Sequence, residues 1–180
     1  MSSYSVRDFD RGAPKWLEVG WVVVKNLIFL SSWPWPSALK VALLRAFGAK
    51  VGTGVVIRSR VNITFPWRVT IGNHVWIGDE VFILSLAPVT IGSNVCISQR
   101  AFLCAGSHDF RKPGFDLMTQ PITIGDECWV ASQVFVAAGV EIGARTVVGA
   151  GGVVVKSLPP GVFAGGNPAK VVRTRDEANG

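Results

Sequence analysis

The sequence has no CxxC pair, no Gly-x-Ser-x-Gly elbow, two histidines and one tyrosine in 180 residues. Its three cysteines, Cys96, Cys104 and Cys128, offer neither the density of a disulfide framework nor the spacing of a zinc ribbon. Met1–Gly12 is polar and the apolar stretch after it lacks a small-residue cleavage site, so free thiols in a reducing cytoplasm are expected. The missing elbow removes the usual serine-hydrolase route. Charged residues are sparse as well, at 17% against 49% hydrophobic, which excludes a disordered chain. The longest apolar run, Pro14–Leu30, is short for a membrane span and Lys25 interrupts it.

The net charge of +6 is uneven: +4 over residues 1–50, zero over 51–155 and +2 from Lys156 onward. A neutral middle with basic ends is not a DNA-binding footprint, and nucleic acid is excluded as a partner. It suits a body that meets anions at its ends, such as phospholipid headgroups or a nucleotide phosphate.

What is present is a repeat. From Val51 a six-residue unit places an aliphatic residue first, at Val51, Ile57, Ile63, Ile71, Ile77, Ile83, Ile91, Ile97 and Leu103. After a gap it resumes at Ile124, Val130, Val136, Ile142, Val148 and Val154. The units group in threes, each opened by Val-Gly or Ile-Gly (Val51-Gly52, Ile71-Gly72, Ile91-Gly92, Ile124-Gly125, Ile142-Gly143). A helix would repeat near 3.6 residues and alternating strands near two, so period six points to one short strand and one corner per unit. Three units then make a turn of a triangular prism. Five stacked coils bury aliphatic columns worth roughly 1.5–3 kcal/mol per side chain, with glycine expected to suit the tight corners. The open ends of such a solenoid need covers.

These hexapeptides resemble those of the left-handed parallel β-helix acyltransferases. Leu103–Asp109 (LCAGSHD), Ile122–Val130 (ITIGDECWV) and Gly166–Val171 (GNPAKV) sharpen the likeness toward sugar and polysaccharide O-acetyltransferases of the colanic-acid-biosynthesis type, over roughly residues 48–173. The expected architecture is all-β. A helical extension occupies residues 1–50, the left-handed β-helix residues 51–159 with a loop at 109–121, and a tail residues 160–180. The resemblance implies acetyl-CoA as co-substrate, no metal, and a homotrimer with the cofactor between neighbouring prisms.

The repeat breaks most clearly at the 21-residue step from Leu103 to Ile124, which holds His108. Moving an acetyl group from a thioester to a hydroxyl needs a base near neutral pH, and imidazole suits that task. His108 also matches the family's catalytic base. The other histidine, His74, lies fourth in a regular unit, where a surface side chain is expected. Alternation along the strand puts Ser107 toward the core and His108 outward, which favours direct transfer over a covalent intermediate. Asp109 is read as either an orienting partner of His108 or a loop-starting turn residue.

For the cofactor, the resemblance implies Trp129 along the pantetheine arm and Ser132 and Ala150 bonding it through backbone groups. It places Lys156, Lys170 and Arg173 near the nucleotide phosphates. Maltose- and galactoside-type relatives hold their sugar with an Asn and an Asp where this chain has Gly78 and Ser85. That departure favours a glycan or lipid-linked acceptor, with Ser85, Asp109 and Arg111 as candidate contacts and Asp79, Glu80, Lys112 and Asp116 also available. Residues 14–47 carry four of the seven tryptophans (Trp16, Trp21, Trp33, Trp35). They are read as capping the prism and contacting neighbouring subunits, or as forming a peripheral anchor at the inner face of a membrane, and the two readings can coexist. Two alternatives stand beside the acetyltransferase: a γ-carbonic-anhydrase-like metalloenzyme, which needs three histidines around its metal, and a non-catalytic sugar-binding scaffold.

Overall fold

The computed structural model describes residues 9–175, so the outermost parts of the expected extension and tail (1–8 and 176–180) lie outside the described residues. Each hexapeptide forms a strand of two or three residues and a corner, and the strands stack into three parallel sheets. Face A holds Lys50–Val51, Val69–Ile71, Val89–Ile91, Ile122–Ile124 and Glu141–Ile142. Face B holds Val56–Ile57, Trp76–Ile77, Cys96–Ile97, Trp129–Val130 and Val147–Val148. Face C holds Asn62–Ile63, Phe82–Leu84, Phe102–Cys104, Phe135–Val136 and Val153–Val154. Register is that of the repeat, with Val51, Ile71, Ile91, Ile124 and Ile142 as successive Cα partners on face A. All the unit-opening aliphatics are buried except Val51, which is half-buried in the lowest coil.

Five complete turns are followed by the start of a sixth. Leu158 bridges to Ile142 on face A, and Val162–Gly165 adds a parallel strand to face B before Lys170–Thr174 folds back antiparallel on it. The solenoid thus runs slightly past the expected boundary at 159.

Glycine works in two places. The Gly that follows each opening aliphatic of face A is dictated by the coil above rather than by its own turn. A Cβ on Gly72 would lie 2.6 Å from the carbonyl carbon of Gly92, and one on Gly125 2.6 Å from the Ala144 nitrogen. The left-handed corner position is the fourth of the unit, held by Gly54 (φ 67°), Gly139 (φ 79°) and Gly151 (φ 68°) in three units and by non-glycine residues such as His74 (φ 55°), Asn94 (φ 57°) and Glu127 (φ 57°) in others. His74 is an exposed corner residue, as its position in the unit implies.

The lowest coil would leave a ring of unpaired carbonyls, each costly if buried without a partner. The N-terminal segment covers them face by face. Helix α1 (Lys15–Val24) runs into a π-helical turn, Lys25–Phe29, and helix α2 (Ser37–Ala46) ends at Gly48 with φ 89°. On face A, Arg45 donates to the Val51 and Gly52 carbonyls. On face B, the buried Lys40 Nζ donates to Ile57 and Arg58 carbonyls, while Ser37 bonds the Ile57 backbone. On face C, Trp21 Nε1 donates to the Ile63 carbonyl at 2.9 Å. Trp21 and Phe29 are fully buried, edge to face, with ring centroids 5.0 Å apart. Burial among these groups also lowers the Lys40 ammonium from its ordinary pKa, an effect the nearby Asp79 charge opposes. Capping is therefore what the inward side of this segment does.

Candidate active site

The faces follow one another in chain order A, B, C, so each coil has an A–B, a B–C and a C–A edge. The C–A edge is longer by two residues in the first two coils, and there the chain stays extended. In the second coil Ile83, Ser85, Ala87, Val89 and Ile91 all point inward. This corrects the reading of Ser85 as an acceptor contact. It is fully buried, its Oγ accepting from the Phe65 N–H at 2.9 Å and donating to the Phe65 carbonyl at 3.0 Å. Gly78, at the other departing position, is buried on the B–C edge, where a Cβ would meet the Gln99 nitrogen at 2.8 Å. No side chain fits there.

In the third coil the same edge opens. After the buried Ala105 the chain leaves the prism as an antiparallel hairpin, Gly106–Asp109 with Asp116–Thr119, and returns at Ile122 beside Val89. Gly106 lies against Leu86, whose Cδ1 would be 2.8 Å from an added Cβ, so a side chain at the hairpin base would have to displace the end of Leu86. The excursion is thus a paired ribbon that begins three residues before the expected loop. It also corrects the placement of Ser107: once the hairpin replaces the coil, Ser107 pairs with Met118 and is exposed instead of facing the core.

His108 projects from this ribbon, exposed, opposite Leu117. Its Nδ1 lies 2.7 Å from the Phe115 carbonyl oxygen. A carbonyl can only accept, so in the neutral imidazole Nδ1 carries the proton and the basic lone pair sits on Nε2. Phe115 reaches this position with φ 50°, a left-handed conformation that turns its carbonyl back toward the ring. Sequence reading did not find Phe115, because its contribution comes from the main chain and no side-chain type signals it.

The Asp109 carboxylate is engaged by Arg111. It accepts from the Arg111 N–H at 3.1 Å and from Arg111 Nε at 2.9 Å, starting the turn. The Arg111 side-chain bond, then its backbone bond, hold the Asp109 carboxyl below its ordinary range. Both residues nevertheless line a cavity of about 250 Å³ with Ser107, His108, Phe110 and Met118. Lys112 and Asp116 pair with each other at 2.9 Å.

The expected cofactor residues fall into two groups. Trp129 is half-exposed on face B, its Nε1 donating to Ser98 Oγ at 2.9 Å. Above it in the same outward column come Val147, Phe163 and then Arg173, whose guanidinium lies 5.6 Å over the Phe163 ring. Lys170 is on the same terminal strand. Ser132 and the exposed Ala150 occupy equivalent positions of successive coils on the B–C edge, and Ser132 Oγ bonds Gln99. Lys156 stands apart, exposed at the C–A edge two coils above the hairpin. Ser98 and Gln99, which hold Trp129 and Ser132, were missed because only the stacking of coils brings them together. Asp79 and Glu80 are engaged along the B–C edge. Asp79 bonds Arg58 and the Ser59 N–H, and Glu80 pairs with Arg60 and with Arg100 at 2.6 Å.

The C–A edge lies opposite face B, so His108 and Trp129 are on opposite sides of the prism. Among the described residues no three His, Cys, Asp or Glu side chains gather as a metal site.

No protein-family model matches the sequence. The chain is 46% identical over 180 residues, 98% of its length and 97% of the relative's, to the Escherichia coli (strain K12) protein named as the colanic acid biosynthesis acetyltransferase WcaF. The chain belongs to the hexapeptide-repeat acetyltransferases. A second acetyltransferase of the same organism, galactoside O-acetyltransferase, is 32% identical over 155 residues, covering 83% of this chain and 76% of the relative. Among solved structures, a hexapeptide-repeat acetyltransferase of Vibrio cholerae complexed with acetyl coenzyme A superposes with a TM-score of 0.79 at 30% identity, covering 88% of this chain and 86% of that one. Family membership makes the protein an acetyltransferase, and the metalloenzyme and scaffold readings give way to it.

Proposed function

We propose that this acetyltransferase moves the acetyl group of acetyl-CoA directly to a hydroxyl of a sugar or exopolysaccharide precursor, free or lipid-linked, with His108 as general base. The observation that carries the reading is the 2.7 Å contact of His108 Nδ1 with the Phe115 carbonyl, which leaves Nε2 as the basic nitrogen of a side chain that lines a cavity. Nε2 takes the acceptor hydroxyl proton as its oxygen attacks the thioester carbonyl carbon. The tetrahedral oxyanion, stabilised by a backbone N–H of a nearby coil, then collapses with cleavage of the C–S bond. The proton held by His108 passes to the departing thiolate. The names of the relatives support a saccharide acceptor, and the acetyl-CoA complex of the Vibrio cholerae protein supports the donor. The three cysteines are free thiols, in keeping with a cytoplasmic enzyme. The test is acceptor-dependent thiol release from acetyl-CoA across free sugars, nucleotide sugars and glycan fragments. Release driven only by amines would overturn the O-acetyl assignment.

The opposed positions of His108 and Trp129 support a site shared between protomers, each supplying one edge. A cyclic homotrimer of about 58 kDa, three times 19.3 kDa, is the expected assembly. Light scattering that finds a catalytically competent monomer would remove this reading.

The column from Trp129 to Arg173 supports a cofactor path along face B ending in cations. Arg173→Ala is expected to weaken acetyl-CoA binding about tenfold or more, the size of one charge-assisted phosphate contact. Its side chain is exposed, so stability should hold. Calorimetry showing unchanged affinity would assign Arg173 to its stacking on Phe163 alone.

A further inference from the structure

The cap has a second side that capping does not use. Trp21, Val24, Ile28 and Phe29 face the prism. On the outside, Trp16 is 73% exposed, Val19 64%, Val23 52%, Leu27 65% and Trp33 66%. A helix that only caps a core carries one apolar stripe and a polar back. The outward column of face A has such a polar back: Lys50, Thr70, Thr90, Thr123 and Glu141.

Charge selects the occupant of this apolar face. Between residues 11 and 39 the sole carboxylate is Glu18, and its side chain is 14% exposed and paired with Arg11 at 2.6 Å. Lys15 and Lys25 lie in the same helical segment, without an acid of the segment to pair with there. A second copy of the face would set these cations against their own counterparts, whereas an anionic surface complements them. Tryptophan at both ends of the stripe, Trp16 and Trp33, is the side chain suited to a boundary between hydrocarbon and headgroups. No helix among the described residues is long and apolar enough to cross a bilayer, so the segment would lie in the interface.

We infer that α1 and the π-helical turn after it form a two-sided element, closing the prism with one side and docking the protein on an anionic phospholipid surface with the other. The inference stands on the N-terminal segment alone and does not depend on the acceptor or on His108.

The experiment is co-sedimentation of the full chain with vesicles of phosphatidylcholine alone and of phosphatidylcholine with phosphatidylglycerol at 7:3. The wild type should sediment with the anionic vesicles, and less so in high salt. Trp16→Ser/Leu27→Ser/Trp33→Ser should weaken that binding by at least about tenfold, since three exposed apolar anchors are lost. Lys15→Gln/Lys25→Gln should weaken it by about fivefold per lysine on anionic vesicles alone. Because all three apolar positions are exposed, thermal unfolding of the first variant should match the wild type. No sedimentation of the wild type with either vesicle, or equal binding by the triple variant, overturns the inference. A fall in the solution mass of the triple variant without lipid also overturns it and assigns the face to a second copy of the chain.

Discussion

His108→Ala is expected to lower turnover by about 10²–10⁴-fold, the usual contribution of a positioned general base. His108 is exposed on a hairpin that leaves the prism, and the hairpin is held by its own ladder from Gly106↔Thr119 to Asp109↔Asp116. The substitution should therefore leave stability, assembly and acetyl-CoA affinity close to wild type. His74→Ala is the internal control. That residue sits at an A–B corner with φ 55° and should leave turnover largely intact. The measurement is the initial rate of thiol release with a productive acceptor, beside calorimetry with acetyl-CoA. Near-wild-type turnover in His108→Ala would defeat the mechanism while leaving the acetyltransferase assignment in place. Loss of assembly together with turnover would give His108 a structural role instead.

Trp21→Ala should lower unfolding free energy by about 3–5 kcal/mol, the range for removing a large buried aromatic. That is a large share of the roughly 5–15 kcal/mol that holds a typical domain folded. Trp21 is 1% exposed, packs on Phe29 and Phe47, and supplies the donor for the Ile63 carbonyl at the open end of face C. The alanine variant loses the packing and leaves that carbonyl unpaired. Trp21→Phe separates the two contributions. It keeps most of the apolar volume, so its loss should stay near the 1–3 kcal/mol of an unsatisfied buried polar group. Urea unfolding of both variants reads the difference. Equal stability of Trp21→Ala and wild type would mean that the helices are not what closes the solenoid.

The period of six is a local property of the chain, and it was enough to determine the prism, its inward aliphatic columns and which coil opens. Burial of Ile57, Ile77, Ile97, Val130 and Val148 follows from one rule applied repeatedly, because each coil presents the same side to the one above. His108 was legible for a related reason: it stands where that rule fails. The C–A edge obeyed a second rule that the hexapeptide does not contain. Its two extra residues prolong strand alternation and turn Ser85 into the core, while the hairpin that starts at Gly106 turns Ser107 out of it. The need for glycine after each opening aliphatic of face A was likewise decided between coils, by the approach of Gly92 to Gly72.

The remaining features depend on groups distant in sequence that meet only after stacking. Phe115 contributes a carbonyl, Ser98 and Gln99 reach residues more than thirty positions away, and Lys40 and Trp21 close faces that begin well after them in the chain. A sequence specifies its own periodicity because side-chain direction is set within a few bonds. Which main-chain group a side chain finally meets is set by how coils and caps pack against one another, and that was decided only by the tertiary structure.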